Sequence, residues 1–167
     1  MEKVFPDEYL LIYSEEVNNT CIHLGFLIRD SLQDSFELIH YWNNKIQKGK
    51  VSGKAYKISI SKEKQQEAVS IIKRILEKNK NKVIPISFTK EYSIFSFDGI
   101  KQSEGLNCST FILNVLFLIN LNLNINYSNI KEDLDYIKQI CLKVSENSYR
   151  HPAHIILNLI KEYNEFI

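Results

Sequence analysis

The N-terminal third of the chain contains short stretches in which apolar residues cluster or alternate with polar ones, a pattern typical of β-strands. The predicted strands are residues 9–13, 20–28, 35–42 and 55–60. Residues 29–31 are predicted to form a turn, so the strands at 20–28 and 35–42 are expected to pair as a hairpin. The polar and basic residues 43–53 are predicted to form a solvated loop.

Strict alternation within the strand at 20–28 predicts which of its side chains share a face. The face expected to enter the core carries Ile22, Leu24, Phe26 and Ile28. The opposite face is expected to carry Cys21, His23 and Gly25. Because glycine has no side chain, Gly25 is expected to leave open space beside His23.

In the rest of the chain apolar residues recur every three to four positions, which is the period of an α-helix. The predicted helices are one that begins at Ser61, then 108–121, then 130–144, and a last one that begins at Pro152. Residues 83–88 and 92–97 are predicted to be short strands or extended segments. This order of elements predicts an α+β fold in which a small antiparallel sheet packs on helices.

Composition and charge narrow the class of protein. At 167 residues with 44% hydrophobic residues, the chain is expected to form a single domain, 1–167, with its own core. The net charge of +1 gives no indication of a basic surface that would bind nucleic acid. The longest apolar stretch, 111–123, is interrupted by asparagines, so no transmembrane segment is expected. The acidic N-terminus, with Glu2, Asp7 and Glu8, lacks the pattern of a signal peptide, which predicts a cytoplasmic protein, with export by a route that needs no signal peptide as the alternative.

The three cysteines, Cys21, Cys108 and Cys141, are an odd number and lack the spacing of a metal site. A disulfide framework and a structural zinc site are therefore not expected, and no cofactor is predicted. Cys141 lies on an apolar helical stripe and is interpreted as structural. His151 and His154 lie at the start of the last predicted helix, but the first is expected to precede that helix, so the two are not predicted to bind a metal.

Cys108 lies where the polar loop 98–105 is followed by the apolar helix 108–121. Asn107 is a favoured N-cap residue, which places Cys108 in the first helical turn. There the backbone N–H groups and the positive end of the helix dipole favour a thiolate, the form of cysteine that acts as a nucleophile. The alternative interpretation is a small, inert core residue, the commonest role of a free cysteine.

Three short motifs in a fixed order resemble those of a known family. They are His23-Leu24-Gly25-Phe26, Glu37-Leu38-Ile39-His40 and Asn107-Cys108-Ser109-Thr110-Phe111. This order is similar to that of the circularly permuted papain-like hydrolases related to NlpC-type peptidases. The family includes YiiX-like proteins and the acyltransferases and phospholipases of the lecithin:retinol acyltransferase type. The resemblance covers about residues 7–120, so the last two predicted helices are additional to it.

The resemblance implies roles for three residues. Cys108 matches the nucleophile, His23 the base, and His40 the polar residue that orients the base. YiiX-like members tend to have an acidic residue at this third position, so His40 is closer to the acyltransferase branch. That branch has Glu-His after the cysteine, where this chain has serine and threonine. Glu37 is a rival third residue, but it is expected on the opposite face of its strand from His40.

The resemblance also implies a reaction and its substrates. The expected enzyme cleaves amide bonds of peptides or isopeptides, including cell-wall (peptidoglycan) peptides, through an acyl-thioester on Cys108. One alternative is a phospholipase or acyltransferase of the lecithin:retinol acyltransferase type, acting on lipid acyl groups. The other is a catalytically silent binding domain with a papain-like scaffold. The two additional C-terminal helices are expected to pack on helix 108–121 and hold it in place; the alternative is a lid or a dimer contact, with residues 149–154 beside the cleft.

Overall fold

A five-stranded antiparallel sheet organises the fold. This is a computed structural model, and the residues that it describes are 2–32, 35–86, 95–96, 99–100, 106–121 and 152–165. The strands of the sheet are β1 (Leu10–Val17), β2 (Thr20–Ile28), β3 (Glu37–Trp42), β4 (Lys45–Gly49) and β5 (Lys54–Lys57). Across the sheet their order is β4-β3-β2-β1-β5.

Three described helices and a short ribbon complete the architecture. The helices are α1 (Lys62–Lys78), α2 (Cys108–Leu118) and α3 (Pro152–Glu165). The ribbon pairs β6 (Phe95–Ser96) with β7 (Gly99–Ile100). The predicted α+β class is therefore confirmed. Within the described part of the chain, none of the helices is long and apolar enough to cross a membrane.

Pairs of asparagines make the two tightest turns of the sheet. Asn18 and Asn19 join β1 to β2 with φ values of 51° and 63°, and Asn43 and Asn44 join β3 to β4 with φ values of 51° and 62°. Asparagine tolerates this left-handed region better than most residues that carry a side chain. Two-residue turns with both φ values positive match the twist of the strands that they connect, so both hairpins close without a longer loop.

The strand pairing agrees with the sequence in one hairpin and corrects it in another. β2 and β3 pair as expected, with Phe26 opposite Ile39. The prediction of a solvated loop over 43–53 is wrong, because β4 pairs with β3 throughout residues 45–49. Ile46 is the sole aliphatic residue of β4, so the strand has almost no apolar pattern. Its formation follows from the tight turn before it and from pairing with a strongly apolar neighbour.

A β-bulge interrupts β2 near its start. Glu15 on β1 pairs with His23, but Glu16, the next residue, pairs with Cys21, so Ile22 is the extra residue. The bulge changes which face residue 21 occupies, and Cys21 is buried in the core on the side of the helices. The prediction that Cys21 shares a face with His23 is therefore wrong. Ile22, which was expected in the core, is only partly buried.

The two sides of the sheet carry different cores. The helices cover one side, called here the helix side, where Phe26 of β2 packs edge-on against Phe111 of α2 with ring centroids 5.5 Å apart. The larger core lies on this side and joins all three described helices to the sheet. On the opposite side, called here the far side, a smaller core contains Leu11, Tyr13, Leu27, Phe36 and Leu38.

The helices begin close to where the sequence predicts. Ser61 is the N-cap of α1, and its hydroxyl accepts a hydrogen bond from the backbone N–H of Lys64. α2 begins at Cys108 but ends at Leu118, three residues before the predicted end, because Ile119 already leaves the helical conformation. α3 begins at Pro152 as predicted. The predicted helix 130–144 lies outside the described residues.

α3 is attached to the sheet by side chains at both of its ends. Near its start, Nδ1 of His154 accepts a hydrogen bond from the backbone N–H of Cys21 at 3.1 Å. Near its end, Asn164 accepts from the N–H of Ser59 and donates to the carbonyl of Lys57. Between these anchors its buried face packs into the helix-side core, which makes α3 part of the same packed unit as β2 and α2.

Candidate active site

Two buried histidines form a hydrogen-bonded pair on adjacent strands. His23 Nε2 of β2 lies 2.8 Å from His40 Nδ1 of β3. Their side chains are 4% and 8% exposed, respectively. Both project from the far side of the sheet, since His23 pairs with Glu15 and His40 packs on Gly25. The structure therefore brings together the two histidines that the sequence places on paired strands.

Two glycines make room for the His40 ring. A Cβ added to Gly25 would lie 3.0 Å from Cβ of His40 and 2.8 Å from Cδ1 of Leu38. A Cβ added to Gly49 of β4 would lie 2.5 Å from Nε2 of His40. The space that Gly25 was expected to leave open beside His23 is thus filled by Leu38 and His40. The glycines fix the position of the second histidine.

Burial determines the charge of His40. Desolvation lowers the pKa of His40 below its ordinary value of 6.5, and the carboxylate of Glu15 opposes this effect more weakly. A neutral His40 can accept a hydrogen bond at Nδ1 from Nε2–H of His23. In that arrangement the lone pair of His23 is on Nδ1, the atom through which it would take a proton. The pair can therefore hold His23 in the tautomer of a general base.

Trp42 lies beside the histidine pair at the end of β3. Its ring centroid is 5.2 Å from that of His23 and 6.3 Å from that of His40, and its side chain is 56% exposed. The exposed indole thus packs beside both imidazoles. Trp42 is not among the residues predicted for the site, although it is two positions after His40 and must therefore share its face of β3.

Cys108 is the first residue of α2, as the sequence predicts. Asn107 is the N-cap, and its Oδ1 accepts hydrogen bonds from the N–H groups of Ser109 and Thr110, both at 2.9 Å. The hydroxyl of Thr110 in return accepts from the N–H of Asn107 at 2.9 Å. This reciprocal capping fixes the first turn of α2, and with it the Cys108 backbone. The thiol is partly exposed.

Two electrostatic neighbours of Cys108, Tyr41 and Cys21, lie on the helix side of the sheet. Its charge contributes to the raised pKa of Tyr41, which burial chiefly raises to about 12. It also contributes to the raised pKa of Cys21. Tyr41 and Cys21 belong to the helix-side core, against which Cys108 packs. Cys108 thus packs on the side that carries Tyr41 and Cys21, which are close in sequence to His40 and His23. The two imidazoles themselves project from the far side.

Cys21 is a protected thiol. It is fully buried, and burial raises its pKa to about 11. Its sulfur donates to the carbonyl of His23 at 3.4 Å and accepts from the hydroxyl of Ser14 at 3.4 Å. These contacts join it to the backbone around the β-bulge. A neutral, enclosed thiol of this kind packs as a small apolar residue.

The rival third residue is not near the pair. Glu37 lies on the opposite face of β3 from His40, as expected, and its carboxylate forms an exposed ion pair with Lys48 at 3.2 Å. A different carboxylate, that of Glu15, faces the far side because Glu15 pairs with His23. No sequence pattern points to Glu15, because its pairing with His23 depends on the bulge at Ile22.

The His, Cys, Asp and Glu side chains of the described residues do not cluster into a cation site. Within the described ranges, no group of three or more His, Cys, Asp or Glu side chains is arranged to hold a metal ion. Cys141 and His151 lie outside those ranges.

In comparisons with known proteins, no family model, curated protein or solved structure matches the chain.

Proposed function

We propose that the chain is a cysteine-dependent hydrolase of amide bonds with a circularly permuted papain-like fold. In this proposal Cys108 is the nucleophile, His23 is the general base, and His40 orients His23. The substrates are peptides or isopeptides, including cell-wall peptides. The observation that carries the proposal is the buried 2.8 Å hydrogen bond between Nε2 of His23 and Nδ1 of His40.

That hydrogen bond assigns the two nitrogens of His23 different tasks. Nε2 is engaged by His40, so proton transfer with a thiol takes place at Nδ1. When His23 becomes positively charged, the neutral His40 continues to accept its Nε2 proton and stabilises the imidazolium. A histidine on the surface can bond to water instead of to a second side chain. In this proposal the two buried, mutually bonded imidazoles are the base and the group that orients it.

The chemistry begins at the sulfur of Cys108. Its thiolate adds to the carbonyl carbon of the amide, and the nitrogen leaves after taking a proton from His23. Water, deprotonated by His23, then attacks the thioester and releases the carboxylic acid and the thiol. The backbone N–H of Cys108, in the first turn of α2, is the oxyanion donor in this proposal.

The reaction requires the Cys108 sulfur to reach His23 across the bulged end of β2. Two observations support that approach. Cys108 interacts electrostatically with Cys21, and the Cys21 sulfur donates to the carbonyl of His23. Cys108 also interacts electrostatically with Tyr41, the neighbour of His40 in sequence. These interactions support a position of the nucleophile close to the two strands that carry the base and its partner.

Thiol alkylation as a function of pH tests the pairing without knowledge of the substrate. The folded protein is treated with iodoacetamide between about pH 5 and pH 9, and alkylation of Cys108 is followed by mass spectrometry. A thiolate–imidazolium pair reacts well below the ordinary thiol pKa of about 8.5. We expect His23→Ala to remove this low-pH reactivity. An identical pH profile in both proteins would overturn the enzyme proposal.

The substrate class is tested on the same protein. Fluorogenic peptide amides, isopeptides and lipid esters are compared, with Cys108→Ala as the inactive control. Cleavage of amides supports the proposal, whereas cleavage restricted to lipid esters would assign the activity to the acyltransferase and phospholipase class instead.

A further inference from the structure

A groove runs between the edge strand β4 and the C-terminal half of α1. It has a volume of about 590 Å³. Four consecutive residues of β4, 45–48, line one wall. The other wall is formed by Lys73, Leu76 and Glu77, which lie at the helical spacing of one face of α1, and by Lys80 just after the end of the helix. Because consecutive strand residues point to opposite faces, a wall made of all four is the edge of β4 rather than one of its faces.

The outer edge of β4 offers backbone hydrogen-bonding groups. Among the described strands, β4 is the last one at this edge of the sheet. Its pairing with β3 begins at Trp42 and Lys45, next to the two-residue turn, so the N–H and C=O groups of Ile46 and Lys48 point away from β3. Near this edge the described residues provide one backbone hydrogen bond, from Ile84 to Asn44 in the turn. Outward groups of this kind accept a further strand.

The floor of the groove is apolar. Ile28, Ile39 and Ile46 of the sheet are almost fully buried and line it together with the partly buried Leu76 of α1. A strand added beside β4 would direct every second side chain toward these residues. An aliphatic side chain at those positions would cover apolar surface of the protein.

The rim of the groove is mainly basic. It carries Lys45, Lys48, Lys73 and Lys80 against two carboxylates, those of Glu37 and Glu77. Lys48 forms an exposed ion pair with Glu37, and Lys73 forms an exposed ion pair with Asp30. In the described part of the chain, Lys45 and Lys80 form no ion pair. These charges repel the same edge of a second copy and attract carboxylates.

From these observations we propose that the groove binds an acidic, extended peptide segment of a partner protein. The segment adds to the sheet beside β4 as a sixth strand and bonds to the outward backbone groups of Ile46 and Lys48. Its aliphatic side chains lie on the floor, and its carboxylates meet the lysines of the rim. This interaction is independent of the proposed hydrolase chemistry, because none of these residues belongs to the Cys108, His23 and His40 set.

The test uses a fluorescent peptide probe of about eight residues in which Glu and Val alternate, matched to the length of a short strand. A second probe of the same sequence carries N-methyl groups on alternate backbone nitrogens. Binding is measured by fluorescence anisotropy, and hydrogen exchange of the backbone amides is followed by NMR. We expect the first probe to bind with a Kd below about 1 mM and to slow exchange at Ile46 and Lys48. We expect no binding of the methylated probe.

Charge-reversal variants provide the matched control. Lys45→Glu combined with Lys80→Glu is expected to weaken binding about tenfold or more, since two attractions become repulsions. Lys50→Glu combined with Lys78→Glu changes the net charge equally, on exposed lysines that do not line the groove, and is expected to leave binding within about twofold. Equal loss in both double variants, equal binding of the methylated probe, or no binding at about 1 mM would each overturn the proposal.

Discussion

Gly49 lies directly against the imidazole of His40, so that a Cβ at this position would be 2.5 Å from Nε2 and 2.7 Å from Cε1 of the ring. The glycine is on the edge strand β4, two residues beyond Gln47, which pairs with His40. The edge of the sheet therefore determines where the second histidine can lie. Any side chain at position 49 must displace the ring that bonds to His23.

Gly49→Ala is expected to weaken the histidine pair without touching a residue of the proposed chemistry. The added methyl group would push the His40 ring away from His23 and strain the packing, at a cost of about 1–3 kcal/mol in unfolding free energy. Chemical denaturation measures the stability, and the imidazole NMR signals report the hydrogen bond. Lys48→Ala, at the adjacent exposed position, is the control and is expected to change stability by less than about 0.5 kcal/mol. An unchanged histidine spectrum in Gly49→Ala would contradict this account.

The stability of the protein is expected to fall as the pH drops below about 6.5. Burial lowers the pKa of His40 in the folded state, so the unfolded chain takes up a proton that the folded chain resists. The unfolded state thus binds more protons in this range, and acid favours it. Denaturation curves at about pH 7.5 and pH 5.5 measure the effect. His40→Asn should reduce the difference between the two curves, and an equal difference in that variant would assign the acid sensitivity to other groups.

Substitutions of His40 distinguish an orienting role from simple packing. His40→Ala removes the partner of His23 Nε2, and we expect the low-pH alkylation rate of Cys108 to fall by about 10²-fold. His40→Asn supplies an amide oxygen that can accept from Nε2–H, so part of the rate should return. Both variants lose the ring, so a merely structural role predicts equal rates. The comparison is valid where circular dichroism shows that both proteins are folded.

The two described cysteines are expected to differ sharply toward an alkylating reagent. At about pH 6 iodoacetamide should label Cys108 and leave Cys21 untouched. Cys21 is fully enclosed and has a pKa raised to about 11, whereas Cys108 is partly exposed at a helix start. Peptide mass spectrometry locates the label, and addition of denaturant should make Cys21 reactive. Labelling of Cys21 at the rate of Cys108 in the folded protein would show that the helix-side core opens readily.

Packing of α3 is expected to contribute strongly to stability. Leu157 is fully buried in the helix-side core, so Leu157→Ala should lower the unfolding free energy by about 2–5 kcal/mol. The adjacent Asn158 is exposed, and Asn158→Ala should have little effect. Urea denaturation followed by circular dichroism measures both. Equal stability of the two variants would show that α3 covers the sheet but does not unfold cooperatively with it.

Local sequence signals predict the helix starts and the hydrophobic strands of this fold. Ser61, Asn107 and Pro152 act through the nearest backbone groups, so their effect can be predicted without knowing what packs nearby. β4 could not be predicted in this way, because a polar strand forms by pairing with its neighbour. The tight Asn43-Asn44 turn was a usable signal for that hairpin.

The candidate site is predictable only where strand alternation is regular. His23 and His40 lie on one face because β2 is regular from His23 onward and pairs directly with β3. The predicted face of Cys21 is wrong because one extra residue, Ile22, shifts the alternation, and no residue type marks such a bulge reliably. The pairing of Cys108 with His23 stays a prediction, since it depends on how a distant helix docks rather than on any local pattern.

The Asn43-Asn44 turn also bears on the order in which the molecule assembles during its synthesis. It joins strands that are neighbours in sequence, and hairpins of this kind close within microseconds. His40 and Gly49 thus meet as soon as that short segment exists. His23 joins them across 17 positions of chain, and Cys108 arrives with a helix encoded much later. Since chains emerge over seconds, the two histidines can meet before the helix that carries Cys108 has been synthesised.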